Sequence, residues 1–361
     1  MDVSSLRRAI IRLGLESFYY SGLYRMLSPV CGGKGAFLTL HRVQPRQDGD
    51  DFQPNRLLEV TPDYLEAVVR HLREADIDLV SLDEASNRLN DPDARRFVCL
   101  TFDDGYRDNL ELAYPILKKH NVPFCIYVAT GLIDRQTEPW WLVLEEVLRK
   151  SQALDFAGEG VEWSAPLRTS GEKCAAYQML WHALMTGDQH WQRRIIRRLA
   201  DQADISIDEM NDELFMTWDE VRTINQDPLV TIGAHTVNHY ALRRLGRDEA
   251  REEIIRGAAV LAEQLGENPA HFSYPYGMAM AASEREFQLA AEIGFKTAVT
   301  TRPGLLHRKP MDVPTALPRI SLNGEYQDLR YLDVLLSGAP MLFYKGLKLI
   351  KGERLRASEA A

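Results

Sequence analysis

Two rhythms of apolar residues alternate along most of the chain. One is a short β-like run built around apolar residues, at residues 36–40, 77–81, 97–102, 123–129, 229–234, 272–274, 295–300 and 317–321. Such runs predict strands. The other rhythm repeats every three or four residues. At 62–74, Thr61 supplies a cap, Pro62 suits the first turn, and Leu65, Val68, Val69 and Leu72 share one face of a helix. Helices are likewise predicted at 109–120, at 283–293, and at 247–265, where Ile254, Ala258, Leu261 and Leu265 form a face that ends at Gly266. About eight strands separated by helices predict an α/β fold with a parallel sheet, open or closed into a barrel.

The rhythm breaks between about residues 135 and 215, where no clear strand is visible and Trp140, Trp141, Trp181 and Trp191 occur among helical charge patterns. This stretch reads as a helical insertion between two barrel strands. It is expected beside the barrel mouth, with its tryptophans either lining a groove or packing a core. Residues 1–34 read as an amphipathic helical segment, 35–325 as the barrel with its insertion, and 326–361 as a helical, basic tail. Residues 6–27 hold Phe18, Tyr19, Tyr20 and Tyr24 among arginines, and 335–350 hold Leu342, Phe343, Tyr344, Leu347 and Leu349 before Lys351 and Arg354. Such segments suit either interfacial membrane anchors or helices packed on the barrel.

Composition narrows the function classes. The 361 residues are 45% apolar and 26% charged, as in a globular protein with a large core. A net charge of −9 argues against general nucleic-acid binding. Cys31, Cys99, Cys125 and Cys174 form no C-x-x-C pair, which suits a reducing compartment and gives no cysteine zinc signature. The N-terminus does not read as a secretory signal, because Arg12 and Glu16 interrupt its apolar run. No stretch has the ~20 apolar residues of a transmembrane helix. The expected location is cytoplasmic, with peripheral contact on the inner face of the membrane.

Three elements carry candidate chemistry. Thr101-Phe102-Asp103-Asp104-Gly105 follows an apolar strand, and in parallel α/β folds ligands meet the carboxyl ends of strands. Two adjacent carboxylates there are costly unless a metal or a proton transfer uses them, although Asp-Gly is also a common turn. His235-Thr236-Val237-Asn238-His239 follows another strand. Two histidines four apart share a face if the segment is helical, and both imidazoles then reach one metal. Asp plus two His is a three-ligand set that leaves positions open for water and substrate. The third element, Phe272-Ser273-Tyr274-Pro275-Tyr276-Gly277, is either a groove wall presenting a backbone N–H or a plain turn.

In this order the three elements resemble the polysaccharide deacetylases of the NodB-homology type, carbohydrate esterase family 4. Thr101 to Gly105 is similar to that family's T-F-D-D-G motif, His235 to His239 to its H-[ST]-x-x-H motif, and Tyr274 to Gly277 to the tail of R-x-P-Y-G. The resemblance covers roughly residues 35–325 without the insertion. It implies a distorted (β/α)7-8 barrel and metal-dependent hydrolysis of an N-acetyl group on a sugar. By position, Asp104, His235 and His239 would hold a divalent ion, zinc first, with cobalt, nickel or iron also suited to the donor set. Asp103 would be the base that deprotonates the attacking water, and a backbone N–H near Tyr276 would help to stabilise the oxyanion.

Two departures from the pattern matter. The Arg that often opens the third motif and orients the base is replaced by Ser273, and Arg319, at the expected end of the last strand, is the candidate substitute. The family also needs a His as general acid. His307, in a late Leu-x-His, and His41, in Leu40-His41-Arg42-Val43 at the end of the first strand, both fit in letters. His41 is preferred, because a strand-end side chain points into a barrel mouth and it is similar to an early Tyr-His-x-x-Val element of a permuted subgroup. The leading reading is an N-deacetylase acting on an N-acetylated sugar in a glycan, a lipid-linked saccharide or a nucleotide-activated precursor. The alternatives are an O-deacetylase or other amidohydrolase on the same site, or a non-catalytic carbohydrate-binding relative.

Overall fold

The computed structural model describes residues 3–343 apart from 47, 48, 50, 92 and 308–312. Strands in chain order are β1 (Gly35–Leu40), β2 (Arg42–Val43), β3 (Glu59–Val60), β4 (Asp78–Leu79), β5 (Phe97–Phe102), β6 (Phe124–Val128), β7 (Ala153–Gly158), β8 (Val161–Pro166), β9 (Val230–Ala234), β10 (His271–Ser273), β11 (Thr297–Pro303) and β12 (Leu317–Ser321). The main sheet runs β1-β12-β11-β10-β9-β6-β5-β4, and β1 also pairs with β5. That last pairing closes seven parallel strands into a barrel, as the resemblance implies, and leaves β4 beside β5. In register, Gly35 opposes Phe97 and Leu40 opposes Phe102, so both strands end at the same mouth.

Alternation along each strand sorts the core into two layers. Phe37, Cys99, Cys125, Tyr127, Val299 and Leu317 belong to a separate apolar cluster that fills the barrel. Leu38, Leu40, Val98, Leu100, Phe102, Phe124 and Ile126 belong to the larger cluster shared with the surrounding helices. Burial on both faces explains why β5 reads as six consecutive buried positions. Cys99 and Cys125 are packing groups, and burial pushes both thiols up.

The helix Pro62–Glu74 starts as the sequence predicts. The Thr61 hydroxyl accepts from Tyr64 N, and Leu65, Val68, Val69 and Leu72 are buried. The helices Arg247–Leu265 and Glu284–Ile293 also form, each ended by a glycine with φ of 82° or 100°.

The insertion corrects the sequence reading. Helices at Trp140–Lys150, Ser170–Thr186, Gln189–Gln202 and Ile207–Leu214 are joined by an antiparallel hairpin of β7 and β8. The missed signal is Gly158-Glu159-Gly160. Gly158 pairs with Val161, and Glu159 and Gly160 between them adopt φ of 53° and 81°, the tight turn that suits a two-residue hairpin. Along β7, Leu154 and Phe156 are buried while Ala153, Asp155 and Ala157 are exposed.

At the chain ends, helices Val3–Tyr20 and Leu23–Cys31 pack with Leu329–Leu336, where Leu15, Tyr24, Tyr331 and Val334 form a small core. The basic stretch expected after Phe343 lies outside the described residues. No described helix is long and apolar enough to cross a membrane.

Candidate active site

The site grows out of the inward-facing positions of the barrel. On β5 the inward column is Cys99, Thr101 and then Asp103, just past the strand end. Asp103 is 2% exposed and Asp104 beside it 2% exposed, a density of negative charge that burial alone would not tolerate. The two carboxylates are resolved by different partners.

Asp103 faces Arg319. Nη1 donates to Asp103 Oδ1 at 2.8 Å and Nη2 to Oδ2 at 2.6 Å, a two-pronged pair. The remaining N–H groups donate to Thr300 O, Thr101 Oγ1 and Ser273 Oγ at 2.8, 3.1 and 3.0 Å. All five guanidinium donors are used, and the group is wholly buried over the Tyr127 ring. Burial would raise the Asp103 carboxyl, but Arg319 holds it below the usual carboxylate value. Arg319 is the third residue of β12 rather than its end, as the sequence reading had it. The small Ser273 both leaves room for the guanidinium and donates to Asp103 Oδ2 at 3.3 Å.

Asp104 turns the other way. Its φ is 76°, and Gly105 follows at 85°, so the chain reverses and aims the carboxylate across the mouth. Asp104 Oδ1 lies 3.3 Å from His235 Nε2 and 3.2 Å from His239 Nε2. Ligand atoms of the three residues all fall within 4.8 Å of one another, and all three residues are buried. The two histidines are not on a helix, contrary to the condition set from their spacing. Thr236 and His239 have φ of 65° and 53°, and His239 N donates to Thr236 Oγ1 at 3.1 Å. A tight turn, not a helical face, brings both rings to one point.

These residues fit a divalent ion. Donors around one tetrahedral zinc stand about 3.3 Å apart, given bonds of ~2.0–2.1 Å. Asp104 Oδ1 and His235 Nε2 are buried and make no hydrogen bond among the described residues. The Nδ1–H of His235 is directed at Ser273 O, 2.7 Å away, which leaves the Nε2 lone pair facing Asp104. Burial pulls His239 down to about 4 against the field of Asp104, so it is neutral at pH 7, as a ligand must be. Burial opposes a charge on His235 too, but Asp104 and Asp103 raise it.

The turn that carries the histidines is clamped from both sides. Glu253, on the helix Arg247–Leu265, accepts from Asn238 N at 2.8 Å and from Asn238 Nδ2 at 2.6 Å. Arg193, on the insertion helix Gln189–Gln202 and 3% exposed, donates to Asn238 O at 2.6 Å and Glu138 O at 2.5 Å. Neither clamp has a sequence signal, since each is one charge in an amphipathic helix.

The insertion also supplies an aromatic wall. The Trp141 ring is 4.9 Å from the His239 ring, and Trp140 Nε1 donates to the Tyr276 hydroxyl at 2.6 Å. Both tryptophans are buried, so they back the site rather than offer open platforms. Trp181 packs near Trp140, and Trp191 packs on Trp163 of β8. Tyr276 has φ of 60° and its ring lies 4.7 Å from that of His239. At Gly277, φ is also 60°, and a Cβ would sit 2.3 Å from Thr301 N, so only glycine fits this turn. Asp104, Thr236, His239 and Tyr276 are four of nine non-glycine residues with positive φ among those described. Backbone strain therefore gathers at this mouth.

His41 and His307 are separated by the length of the barrel. His41 continues the inward column Phe37, Thr39 on β1, and is half-buried at the mouth. Its carbonyl accepts from Asn109 Nδ2 at 2.7 Å, while Asp108 takes Arg42 Nε and Val43 N at 3.0 and 3.1 Å. Burial lowers the His41 imidazole, with Asp104 and Asp103 acting against it. His307 is exposed beside Leu306, whose N–H donates to Gly35 O at 2.8 Å. Gly35 begins β1, so this pairing sits roughly 16 Å of strand from Leu40.

The sequence pattern of the polysaccharide deacetylases matches residues 90–165 and 175–298, which hold Asp103, Asp104, His235, His239 and Tyr276. The chain belongs to the polysaccharide deacetylase family. Among curated proteins, no sequence matches it. Similar solved structures include the Streptococcus pyogenes deacetylase PplD, at 19% identity and a TM-score of 0.53, over 83% of this chain and 97% of that one. IcaB from Ammonifex degensii aligns at 18% identity and a TM-score of 0.52, over 85% and 97%. A de-N-acetylase from Aggregatibacter actinomycetemcomitans aligns at 16% and 0.52, over 83% and 99%. At such identities these likenesses speak for the deacetylase barrel as a fold. The family pattern stops short of His41 and Arg319, so their places rest on geometry alone.

Proposed function

We propose that this polysaccharide deacetylase is a metal-dependent hydrolase that removes the acetyl group from an N-acetylated sugar of a glycan or lipid-linked saccharide. One observation carries the reading: adjacent buried carboxylates have opposite surroundings, one saturated by Arg319 and one turning an unpaired oxygen to two imidazoles. Asp104, His235 and His239 are the residues that would hold the ion. Bound there, a divalent ion would polarise the acetyl carbonyl and make an attacking water more acidic.

The chain's own groups account for the proton. Asp103, kept ionised by Arg319, takes it as the C–O bond forms. The Tyr276 N–H makes no hydrogen bond among the described residues and would donate to the developing oxyanion. His41 is the acid that passes a proton to the departing nitrogen as the C–N bond breaks. With its imidazole lowered, His41 receives that proton from Asp103, which is held low and gives up the one it has taken. Trp140 and Trp141 keep bulk water from the rear of the site. The exposed apolar helices at the chain ends support a lipid-linked rather than a free sugar.

The test is acetate release by zinc-, cobalt- and nickel-loaded protein over N-acetylhexosamine oligomers, nucleotide sugars and lipid-linked saccharides, with free amine measured in parallel. Equal amounts of acetate and amine are expected. Acetate without amine would assign an O-deacetylase, and binding without acetate a non-catalytic relative.

A further inference from the structure

Of the twelve large apolar side chains exposed among the described residues, nine lie on the helical segments at the two chain ends. They form stripes. On the helix Val3–Tyr20, Ile10, Leu13 and Tyr20 recur at spacings of three and seven and are 61%, 62% and 70% exposed. On Leu23–Cys31, Met26 and Val30 are 76% and 83% exposed. The fold already uses a different face of each helix, since Leu15 and Tyr24 pack on Tyr331 and Val334. These two helices therefore carry a second apolar face that the barrel does not need.

Charge is divided along the same line. Residues 1–34 hold five Lys/Arg against two Asp/Glu, and residues 326–361 hold six against four. The two ends together are +5 in a chain of −9, which leaves the barrel between them at −14. Arg8, Arg12 and Arg25 are exposed beside the stripes. Next to Leu23–Cys31, a cavity of about 560 Å³ is lined by Arg25, Lys34 and Arg96. Its one described acidic lining residue, Asp333, is already paired with His71 at 2.6 Å.

We propose that the paired terminal helices are a docking surface for an anionic lipid bilayer, with the cationic cavity receiving lipid phosphate. Apolar stripes flanked by cations match the acyl boundary and the headgroup layer of such a membrane. A second copy of this chain fits less well, because a two-fold interface would bring the same positive ends together. The helices lie along the barrel flank. Arg8 pairs with Glu325 in the loop after β12 at the mouth end, and Gly32 and Leu336 meet Arg96 at the base. A membrane on this flank runs beside the mouth, where a lipid-linked sugar can reach it.

The experiment is co-sedimentation of the full chain with vesicles of pure phosphatidylcholine, or with about one-third phosphatidylglycerol. Binding about tenfold or more stronger to the anionic vesicles is expected, and it should weaken as salt is raised. The M26E/V30E variant, changed at exposed positions only, should lose about tenfold of that binding. An R12E/R25E variant should lose the preference for phosphatidylglycerol. Acetate release from a soluble substrate is scored separately for each protein and should not change, so failure of the catalytic reading is distinguishable from failure of this one. No preference for anionic vesicles, or undiminished binding by M26E/V30E, overturns the proposal. So does a wild-type dimer that M26E/V30E dissolves while vesicles are ignored, which assigns the face to a second copy.

Discussion

On the β12 side of the mouth, Asp103 meets a guanidinium whose five N–H groups are all used. On the β9 side, Asp104 Oδ1 meets two imidazole nitrogens and no hydrogen-bond donor among the described residues. The two residues are neighbours in the chain and almost equally buried. Arg319 cancels the charge of Asp103, so that carboxylate stays ionised with its geometry fixed. Asp104 and its two imidazoles are stable together at neutral pH only if a cation, or protons on the rings, fills the space between them. One side is complete, and the other is built to be completed.

The comparison breaks most severely if the Asp104 side can be altered without loss. His235→Ala or Asp104→Ala should abolish stoichiometric zinc uptake, measured by metal analysis after dialysis, and lower acetate release by at least about 10⁴-fold. The fold should survive by circular dichroism. Next in size, Asp103→Asn should keep full zinc content yet lose about 10²–10⁴ in kcat, because an amide cannot take the proton. His41→Ala should fall in the same range, whereas His307→Ala, at the far end of β1, should stay within about twofold of wild type. A large loss in His307→Ala alone would move the acid step away from the mouth.

Arg319→Met tests the complete side. It strands a buried carboxylate and should cost about 3–5 kcal/mol of stability at pH 7 in urea unfolding. In the wild type the Asp103 carboxyl is held low, so its contribution is present above its unfolded value of about 3.9 and disappears as pH falls through the lower folded value. In the variant, the largest opposition to burial is gone and the carboxyl rises, so the penalty exists above ~3.9 and vanishes below it. The gap between the two proteins should therefore close as pH falls below about 4. Smallest in effect, Arg193→Ala loosens the turn that carries His239 while leaving Asp103 and Arg319 untouched. Zinc affinity should fall about 10–100-fold in a competition titration, with the acid limb of the pH–rate profile unmoved.

Much of this was legible along the chain. Barrel strands are buried on both faces, so runs such as residues 97–102 stand out as continuous apolar stretches. Asp103, Asp104, His235 and His239 are local enough to form recognisable motifs. The hairpin of β7 and β8 was missed because its exposed face carries Ala, Asp, Ser and Glu, and its turn signal is only Gly158-Glu159-Gly160. The histidine spacing brings both rings to one face if the segment is helical, whereas positive φ at Thr236 and His239 produced a turn with the same convergence.

By itself, the sequence determined which side chains are chemically equipped and which strand each follows, because hydrophobic period and motif spacing are properties of neighbouring residues. The tertiary structure decided the opposite surroundings of the two aspartates. Asp103 and Arg319 are separated by 216 residues, and only closure of the barrel through β1 and β5 brings β12 close enough for the guanidinium to reach the carboxylate. The same closure, with the insertion folded over the rim, sets Trp141 against His239 and Arg193 against Asn238. These contacts depend on where distant elements come to rest, and no local pattern encodes that.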